Sequence, residues 1–451
     1  MDLRRLALRV LLSLLALTAL ALAVLAVGVV TSGVFDRRAG AWTVPVTLLP
    51  GVTVAVNVPG ALRLATSPIG RRLLDGRAAT TPLGHLRVTR NGESLHVRCA
   101  PCRLNDVRLA AHTVAVPPVT LRVTRRAGVE SNNVLDVALD SGAVVVRAVA
   151  TLSPSAIDIA WTLPPTPLAD LYRVLADAVP EAKFARIDGR LQAHGRLSLP
   201  SLRQRSEVDI DGAEVGGLNT ERLADGWFTF RCSTADGSPR TLTSGEGERG
   251  WLDAAALGPL LPAAVLAAED QRFWQHAGFD PVEITQALAT IDRDGAAAAL
   301  AAAGLRTPLP RGASTLTQQL ARTLFTGPER SLARKLREWL YAVEMERTLG
   351  KERILLLYLN TVDWGPGLCG ARAAARHYFG KRVAQLTPLE AAWLAGILRA
   401  PHTAHAGQFS AARPDATRAR QVLMQMRELP RPQRERAAQQ PLVFAAPRGA
   451  R

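Results

Sequence analysis

Side chains suited to acid-base chemistry are concentrated in the second half of the chain. Glu269 is followed by Phe273 and His276 at intervals of four and three residues. On a helix this spacing places all three on one face, next to the apolar run at 265–268. A carboxylate there would be partly desolvated, and its raised pKa would suit a general base. The alternative is a surface Glu269-Asp270 pair with Phe273 in the core and His276 hydrogen-bonded locally.

A polar cluster that follows Gly312 has the composition of a helix N-terminus. The cluster consists of Ser314, Thr315, Thr317, Gln318 and Gln319. Exposed N–H groups and the macrodipole make such a terminus an anion site. Arg322 lies on the same face as Gln318 and offers a forked donor to phosphate oxygens. The alternative is that these residues only cap a helix and cover a solvated face.

A third group combines two cations with a carboxylate. Arg334, Lys335 and Glu338 lie on a helix predicted to start after Ser331 and to stop at Gly350. Two interpretations are open for this group. It is either an i,i+4 salt bridge on an exposed face, or a pair of phosphate-binding cations with a second carboxylate.

The elements that must position these groups are helical. From Trp251 onward the apolar periodicity is that of helices almost throughout, with an interruption from Gly295 to Pro310 where we expect a mobile flap. The region from Trp42 to Leu163 instead alternates apolar and polar residues, which indicates strands. Hairpin turns are predicted at Asn91-Gly92 and at 140–142.

Between these regions the pattern is mixed. A helix is predicted near 167–178, with Thr166 as its N-cap, and a strand at 187–199. Residues 201–250 have the composition of a connector with strands near 227–231. The end of the chain, 428–451, is rich in Pro, Arg, Gln and Ala and is predicted to be disordered.

The N-terminus predicts a membrane anchor. Val10 to Val30 is an uncharged apolar stretch long enough, as a helix, to cross a bilayer core. Three arginines precede it, which predicts a cytoplasmic N-terminus and an extracytoplasmic remainder. A cleaved signal peptide is the alternative, since Ala21-Leu22-Ala23 has the small-x-small pattern.

Net charge and cysteine content limit which classes of binding partner and which cell compartment are expected. The formal charge of +16 favours anionic lipid headgroups or pyrophosphates. Nucleic acid is not expected, because no arginine-rich run is interleaved with aromatics. Cys99 and Cys102 could form a redox dithiol, half a zinc site or a disulfide, of which an oxidising compartment favours the disulfide. Cys232 and Cys369 are predicted to be unpaired.

Five motifs occur in a fixed order between residues 269 and 401. They are Glu269-Asp270-x-x-Phe273-x-x-His276-x-Gly278, the segment Gly312 to Gln319, Arg334-Lys335-x-x-Glu338, the segment Lys351 to Asn360, and the segment Leu386 to Pro401. This block resembles the peptidoglycan glycosyltransferase domain, glycosyltransferase family 51, found in class A penicillin-binding proteins and monofunctional transglycosylases. The family usually has lysine where this chain has Arg322.

The resemblance implies roles for individual residues. Glu269 would be the catalytic base, and Glu338 a second catalytic carboxylate that orients the sugar or helps to hold a diphosphate-bound cation. The implied substrate-binding residues are Phe273, Ser314, Thr315, Gln318, Gln319, Arg322, Arg330, Arg334 and Lys335. Mg²⁺ or Mn²⁺ is a possible cofactor, and no organic cofactor is expected.

The resemblance also implies a function. The expected enzyme polymerises lipid II by inverting transfer from an undecaprenyl-linked glycan, releasing undecaprenyl diphosphate at the outer face of the bacterial cytoplasmic membrane. Its expected partners are lipid II, membrane lipids and other cell-wall synthesis proteins. The alternatives are a lytic transglycosylase or muramidase, and a non-catalytic envelope scaffold.

The expected fold class is multidomain. It comprises an N-terminal transmembrane helix, a β-rich extracytoplasmic domain and a mostly α-helical, lysozyme-like glycosyltransferase domain. The expected boundaries are 1–9 for a cytoplasmic tail, 10–30 for the anchor, 42–200 for the β-rich domain, 201–250 for the connector, 251–427 for the glycosyltransferase domain and 428–451 for the tail. The β-rich domain carries no catalytic constellation, so we expect a spacer or docking module that is dispensable for chemistry.

We predict no transpeptidase activity. A penicillin-binding site needs a nucleophilic serine three residues before a lysine. The residues at that distance before the four lysines are Pro180, Leu332, Thr348 and Tyr378. Incubation with a fluorescent penicillin should therefore leave the protein unlabelled, and a covalent adduct would contradict the prediction.

Overall fold

The computed structural model of the protein describes residues 32–36, 40–49, 52–107, 109–126, 133–201, 203–280, 314–405 and 415–445. The predicted anchor at 10–30, the predicted flap at 295–310 and residues 312–313 of the second motif lie outside these ranges. Within the described ranges, no helix combines the length and the apolar character needed to cross a membrane.

A long antiparallel sheet dominates the first half of the described chain. After a separate hairpin of β1 (Thr43–Leu49) and β2 (Val52–Asn57), ten strands form this sheet. The strands are β3 (Ala78–Thr81), β4 (Gly84–Asn91), β5 (Ser94–Leu104), β6 (Val114–Val116), β7 (Val119–Arg125), β8 (Val134–Ser141), β9 (Val144–Leu152), β10 (Ile157–Pro167), β11 (Arg186–Leu199) and β12 (Arg203–Gly216). Except for β6, which pairs with β5, they follow one another across the sheet in chain order.

The two predicted hairpin turns are confirmed. Asn91 pairs with Ser94 across Gly92, and Ser141 pairs with Val144 across Gly142. Both glycines have positive φ, which is the conformation these tight turns require. Local turn chemistry therefore sets the register of the strands on either side.

Among the described residues of this half, three α-helices accompany the sheet. They are α1 (Val58–Thr66), α2 (Pro68–Leu74) and α3 (Leu168–Val174). Helix α3 matches the helix predicted near 167–178, but Thr166 does not cap it. Its hydroxyl donates to the Pro164 carbonyl at 2.7 Å, and Pro167 occupies the N-cap position.

The sheet extends beyond the boundary predicted at residue 200. Strand β12 pairs with β11 along almost its whole length, so 203–216 belongs to the sheet rather than to a connector. A separate hairpin follows, formed by β13 (Trp227–Ser233) and β14 (Pro239–Gly245).

The second half of the described chain is helical. Its helices are α4 (Ala254–Leu257), α5 (Leu260–Glu269), α6 (Leu316–Ala321), α7 (Leu332–Thr361), α8 (Ala371–Phe379), α9 (Pro388–Ile397), α10 (Pro401–Ala404), α11 (Thr417–Gln425) and α12 (Arg431–Ala438). Ser331 caps α7 as predicted, and Gly350, with φ of 75°, breaks the helix where a stop was predicted. Residues 428–445 are ordered, contrary to the prediction, because α12 forms and Phe444 packs on Trp393 with ring centroids 4.8 Å apart.

Two disulfides are present. Cys99 and Cys102 are bonded within β5, with their Cα atoms 5.4 Å apart. Cys232 and Cys369 are also bonded, with Cα atoms 6.0 Å apart, so the prediction that they are unpaired was wrong. The fold brings the two cysteines together across 137 residues, and their bond ties the β13–β14 hairpin to the loop before α8.

The sheet and the helical half share a hydrophobic core. Trp339, Leu340 and Val343 of α7 pack with Tyr172 of α3 and with the ends of β11 and β12. Polar contacts cross the same boundary, since Glu344 accepts a hydrogen bond from the Leu218 amide at 2.9 Å. The β-rich domain therefore forms part of the structure that holds α7, rather than a separate spacer.

Candidate active site

Glu269 is the last residue of α5, and the helix predicted to carry it into Phe273 and His276 does not continue. Asp270 has non-helical backbone angles, with φ of -159° and ψ of 76°, and His276 lies beyond a short 3-10 turn at Phe273–Gln275. Phe273 has no exposed surface, in contrast to the substrate contact expected of it. Its ring packs against Trp274 and His276 and lies 4.3 Å below the Lys351 ammonium.

Asp270 and His276 have structural roles. The Asp270 carboxylate lies 3.0 Å from His276 Nε2 and accepts from the Leu316 amide at 2.8 Å. Leu316 is the first residue of α6, so the helix N-terminus predicted to bind a substrate anion already binds the carboxylate of Asp270. This contact joins the first motif to the second.

Residues of the second motif cap the N-terminus of α6, and one of them bonds to Glu269, the candidate base. Thr315 and Gln318 form a capping box at the start of α6, and both are buried. Buried capping residues have little surface to offer a substrate. Gln319 instead donates to Glu269 Oε2 at 2.9 Å, and its own Oε1 accepts from the Tyr358 hydroxyl at 3.0 Å.

Burial raises the pKa of Glu269. The hydrogen bond from Gln319 and the positive charges of Arg399, Arg418 and Arg322 lower the pKa by less than burial raises it. Tyr358 keeps its proton at neutral pH, because burial and the nearby Glu269 charge raise the pKa of its phenol. The Tyr358–Gln319–Glu269 chain therefore holds the carboxylate in one orientation while leaving Oε1 without a partner among these contacts.

Sequence reasoning missed Arg399 and Arg418. Arg399 is exposed just after α9, within the last of the five motifs, for which no substrate contact was predicted. Arg418 lies on α11 and is partly buried against Gly396. Both act on Glu269, so this carboxylate faces cations from three separate segments of the chain.

The third motif is buried rather than exposed. Glu338 has no exposed surface and forms ion pairs with Arg334 and with Lys335, whose Nζ lies 2.8 Å from Oε2. Lys335 also donates to the hydroxyl of Ser314. Burial lowers the pKa of Lys335, Glu338 raises it, and the charges of Arg334 and Arg322 lower it further.

Arg322 lies close enough to act on both charged groups, the one around Glu269 and the one around Glu338. It is exposed in a π-helical turn, Arg322–Thr326, and its charge affects both Glu269 and Lys335. Insertions of this kind within helices often mark functional sites. Arg330 is exposed in the turn before α7. The site thus consists of one carboxylate with a raised pKa and a set of cations beside it, which is the arrangement needed to deprotonate a hydroxyl near an anionic group.

Comparisons with known proteins show the family to which the chain belongs. A family model described as transglycosylase matches residues 238–427. The biosynthetic peptidoglycan transglycosylase of Pseudomonas entomophila is 38% identical over 215 residues, which cover 47% of this chain and 78% of that protein. The chain belongs to the transglycosylase family.

Other transglycosylases show similar relationships. The chain is 44% identical to that of Aeromonas hydrophila over 174 residues, covering 39% of this chain and 68% of the relative. It is 41% identical to that of Rhodopseudomonas palustris over 163 residues, covering 36% of this chain and 66% of the relative. The match to the transglycosylase family begins at residue 238, so it includes β14, which was assigned to the connector.

The part of the chain that the structure describes shows no evident ligand set for a divalent cation. Within the described residues, no three or more His, Cys, Asp or Glu side chains are grouped to hold a metal. Glu338, the carboxylate considered for this role, is buried and paired with two cations. It is therefore poorly suited to bind a metal directly.

The raised pKa of Glu269 predicts pH-dependent stability. The folded state holds this proton more tightly than the unfolded state, so stability is lost as pH rises from about 4.3, the ordinary glutamate value, through the raised folded value. Glu269→Gln cannot ionise, so its Tm relative to wild type should rise with pH across that window. Thermal melting at a series of pH values tests this, with the exposed Glu352→Gln as control. A Tm difference independent of pH would contradict it.

Proposed function

We propose that this chain polymerises lipid II into glycan strands by inverting transfer and releases undecaprenyl diphosphate. The observation that carries the proposal is the half-buried Glu269. Its pKa is raised by burial, and the charges of Arg322, Arg399 and Arg418 act on its carboxylate. A base that faces cations suits a reaction in which a neutral hydroxyl attacks and a diphosphate leaves. Membership of the transglycosylase family supports the same reaction class.

In the proposed step, the acceptor GlcNAc 4-hydroxyl gives its proton to Glu269 as its oxygen attacks the anomeric carbon of the donor MurNAc. The bond from that carbon to the diphosphate oxygen breaks, and its electron pair leaves with undecaprenyl diphosphate. Attack from the opposite side inverts the anomeric configuration. Glu269 is regenerated when its proton passes to solvent.

Cations would stabilise the leaving diphosphate. We assign this task to the exposed Arg322 and Arg330 together with Arg334 and Lys335, because fixed cations stabilise the negative charge that develops on a leaving group. Glu338 orients Arg334 and Lys335 through its two ion pairs, so we propose that it positions these cations rather than touching the sugar. Any divalent cation would arrive bound to the diphosphate.

Arg399 and Arg418 have a different proposed role. Their charges keep the pKa of Glu269 from rising as far as burial alone would raise it, and so favour the ionised carboxylate. An ionised carboxylate can accept a proton. We therefore propose that the site favours a base over an acid.

The location follows from the proposed substrate. We propose a single-pass protein of the bacterial cytoplasmic membrane, anchored by residues 10–30, with the catalytic region outside and other cell-wall synthesis proteins as partners. The apolar length of that segment and the arginines before it support this topology.

A lytic transglycosylase or muramidase is the main competing function. Such an enzyme needs an acid at the scissile bond and has no use for a diphosphate-binding group. The detergent-solubilised full chain should be given labelled lipid II and, separately, purified peptidoglycan sacculi. We expect polymer from lipid II and intact sacculi. Cleaved sacculi with unchanged lipid II would overturn the proposal.

A further inference from the structure

One face of the long sheet carries apolar side chains that the other described elements leave half exposed. Val97, Leu121, Leu139 and Val146 are paired in register, so they form one row across four strands. Ala148 and Trp161 form the next pair on the same face. These six side chains, here called the apolar trough, belong to none of the hydrophobic clusters, and Leu139 is 41% exposed.

Packed elements close this face at both ends of the strands. At one end Val58 of α1 and Trp42 pack over Leu152 and Ile157. At the other end α3 and α7 pack over β11 and β12. Strand β11 has 14 residues and so spans roughly 46 Å at about 3.3 Å per residue. The trough is therefore an extended apolar surface between two covered ends.

Three arginines converge at the α1 end of the trough. Arg125 follows Leu121 and Val123 on the same face of β7 and reaches the end of α1, donating to the Arg63 carbonyl and, at 3.1 Å, to Thr66 Oγ1. Arg71 of α2 donates to the Thr66 carbonyl at 2.9 Å. Among the described residues, no carboxylate lies within ion-pair distance of Arg71 or Arg125.

The donors of these arginines are only partly used. The Nε atoms of both Arg71 and Arg125 are buried and have no hydrogen-bond partner. Burial lowers the pKa of Arg125, and the charges of Arg71 and Arg63 lower it further, which reflects crowded positive charge. A phosphate beside these guanidinium groups would relieve that crowding of positive charge.

An extended apolar surface with cations at one end fits an amphiphile with a charged head. We propose that this sheet binds an anionic glycerophospholipid, with its phosphate at Arg71 and Arg125 and an acyl chain along the apolar trough. The binding site is separate from the glycosyl-transfer site, and the proposal does not depend on that activity.

Two features favour a membrane phospholipid over the polyprenyl substrate. Arg63 Nη1 lies 3.4 Å from the Ser32 carbonyl, so the arginine group is next to the first described residue after the predicted anchor. It also lies at the end of the sheet opposite α7, which carries Lys335 and Glu338. A phospholipid headgroup at the membrane surface can reach this position without entering the active site.

Photolabelling of the detergent-solubilised full chain tests the proposal. The probe is phosphatidylglycerol with a photoreactive group on one acyl chain, and labelled peptides are identified by mass spectrometry. We expect labels in β5, β7, β8 and β9, suppressed by unlabelled phosphatidylglycerol and much less by phosphatidylcholine. The double variant Arg71→Gln/Arg125→Gln should lose about tenfold or more of the labelling, because two charge-assisted contacts are removed.

A second variant separates binding from folding. Leu139→Asp places a charge on an already exposed position of the apolar trough and should also lose labelling while keeping the wild-type Tm. The matched control is Arg147→Gln, an exposed arginine on the opposite face of β9. Labelling that spreads over both faces, or that persists in both variants, would overturn the proposal. Stronger competition by undecaprenyl phosphate than by phosphatidylglycerol would overturn the choice of a glycerophospholipid.

Discussion

Glu269→Gln should lower turnover by roughly 10² to 10⁴-fold, the usual contribution of a positioned general base. The amide keeps the size of the side chain and can still bond to Gln319, but it cannot take a proton. Folding and lipid II binding should therefore survive. Steady-state polymerisation rates measure the effect, with thermal melting as the folding control and moenomycin, the inhibitor expected from the family resemblance, as the site probe.

A second variant, Arg322→Ala, distinguishes the role of a diphosphate-binding cation from that of the base. Arg322→Ala should weaken donor binding as well as rate, because it removes a charge-assisted contact to diphosphate. Arg376→Ala, which removes an exposed arginine of α8, is the matched control and should behave like wild type. Near wild-type polymerisation by Glu269→Gln would refute the base assignment. A lost melting transition in the same variant would instead assign Glu269 a structural role.

Removal of the β-rich domain should destabilise the helical half. A truncated variant that joins the predicted anchor to Gly217, and so keeps the β13–β14 hairpin and the Cys232–Cys369 disulfide, would expose Trp339, Leu340 and Val343 of α7. At about 1.5 to 3 kcal/mol for each buried apolar side chain, the loss is comparable to the whole stability of a domain, about 5 to 15 kcal/mol. We expect aggregation or a non-cooperative melt, and no polymerisation.

A point variant tests the same interface without truncation. Leu340→Ala should cost about 2 to 5 kcal/mol, because Leu340 is fully buried where α3, α7 and the sheet meet. Leu83→Ala, at an exposed position next to β4, should leave the Tm unchanged. A soluble truncated variant with full activity would restore the interpretation of the β-rich domain as a dispensable spacer.

The sequence predicted the hairpin turns and the start of α7, because interactions between neighbouring residues determine these features. Gly92 and Gly142 marked the hairpins because tight turns need positive φ, and Ser331 marked the start of α7 because its hydroxyl caps the backbone there. Strand β12 was missed because arginines and carboxylates dominate its sequence, although its alternate residues still face the core side of the sheet. Strand pairing with β11, rather than composition, makes it a strand.

Contacts between distant segments of the chain could not be predicted from the intervals between residues in the sequence. The intervals from Glu269 to Phe273 and His276 fit a helix, but Asp270 leaves the helix to bind the N-terminus of α6. Arg399 and Arg418 act on Glu269 only because α9 and α11 pack against α5. The bond from Cys232 to Cys369 likewise depends on the tertiary fold.

The most direct test of the central claim is the product balance of a reaction with lipid II. The detergent-solubilised full chain is incubated with lipid II labelled in both sugar and lipid, and polymer and free undecaprenyl diphosphate are quantified together. We expect one undecaprenyl diphosphate to be released for each disaccharide added, and the new linkages to have the inverted, β configuration. Lipid II consumed without polymer, or polymer formed with retained configuration, would contradict it.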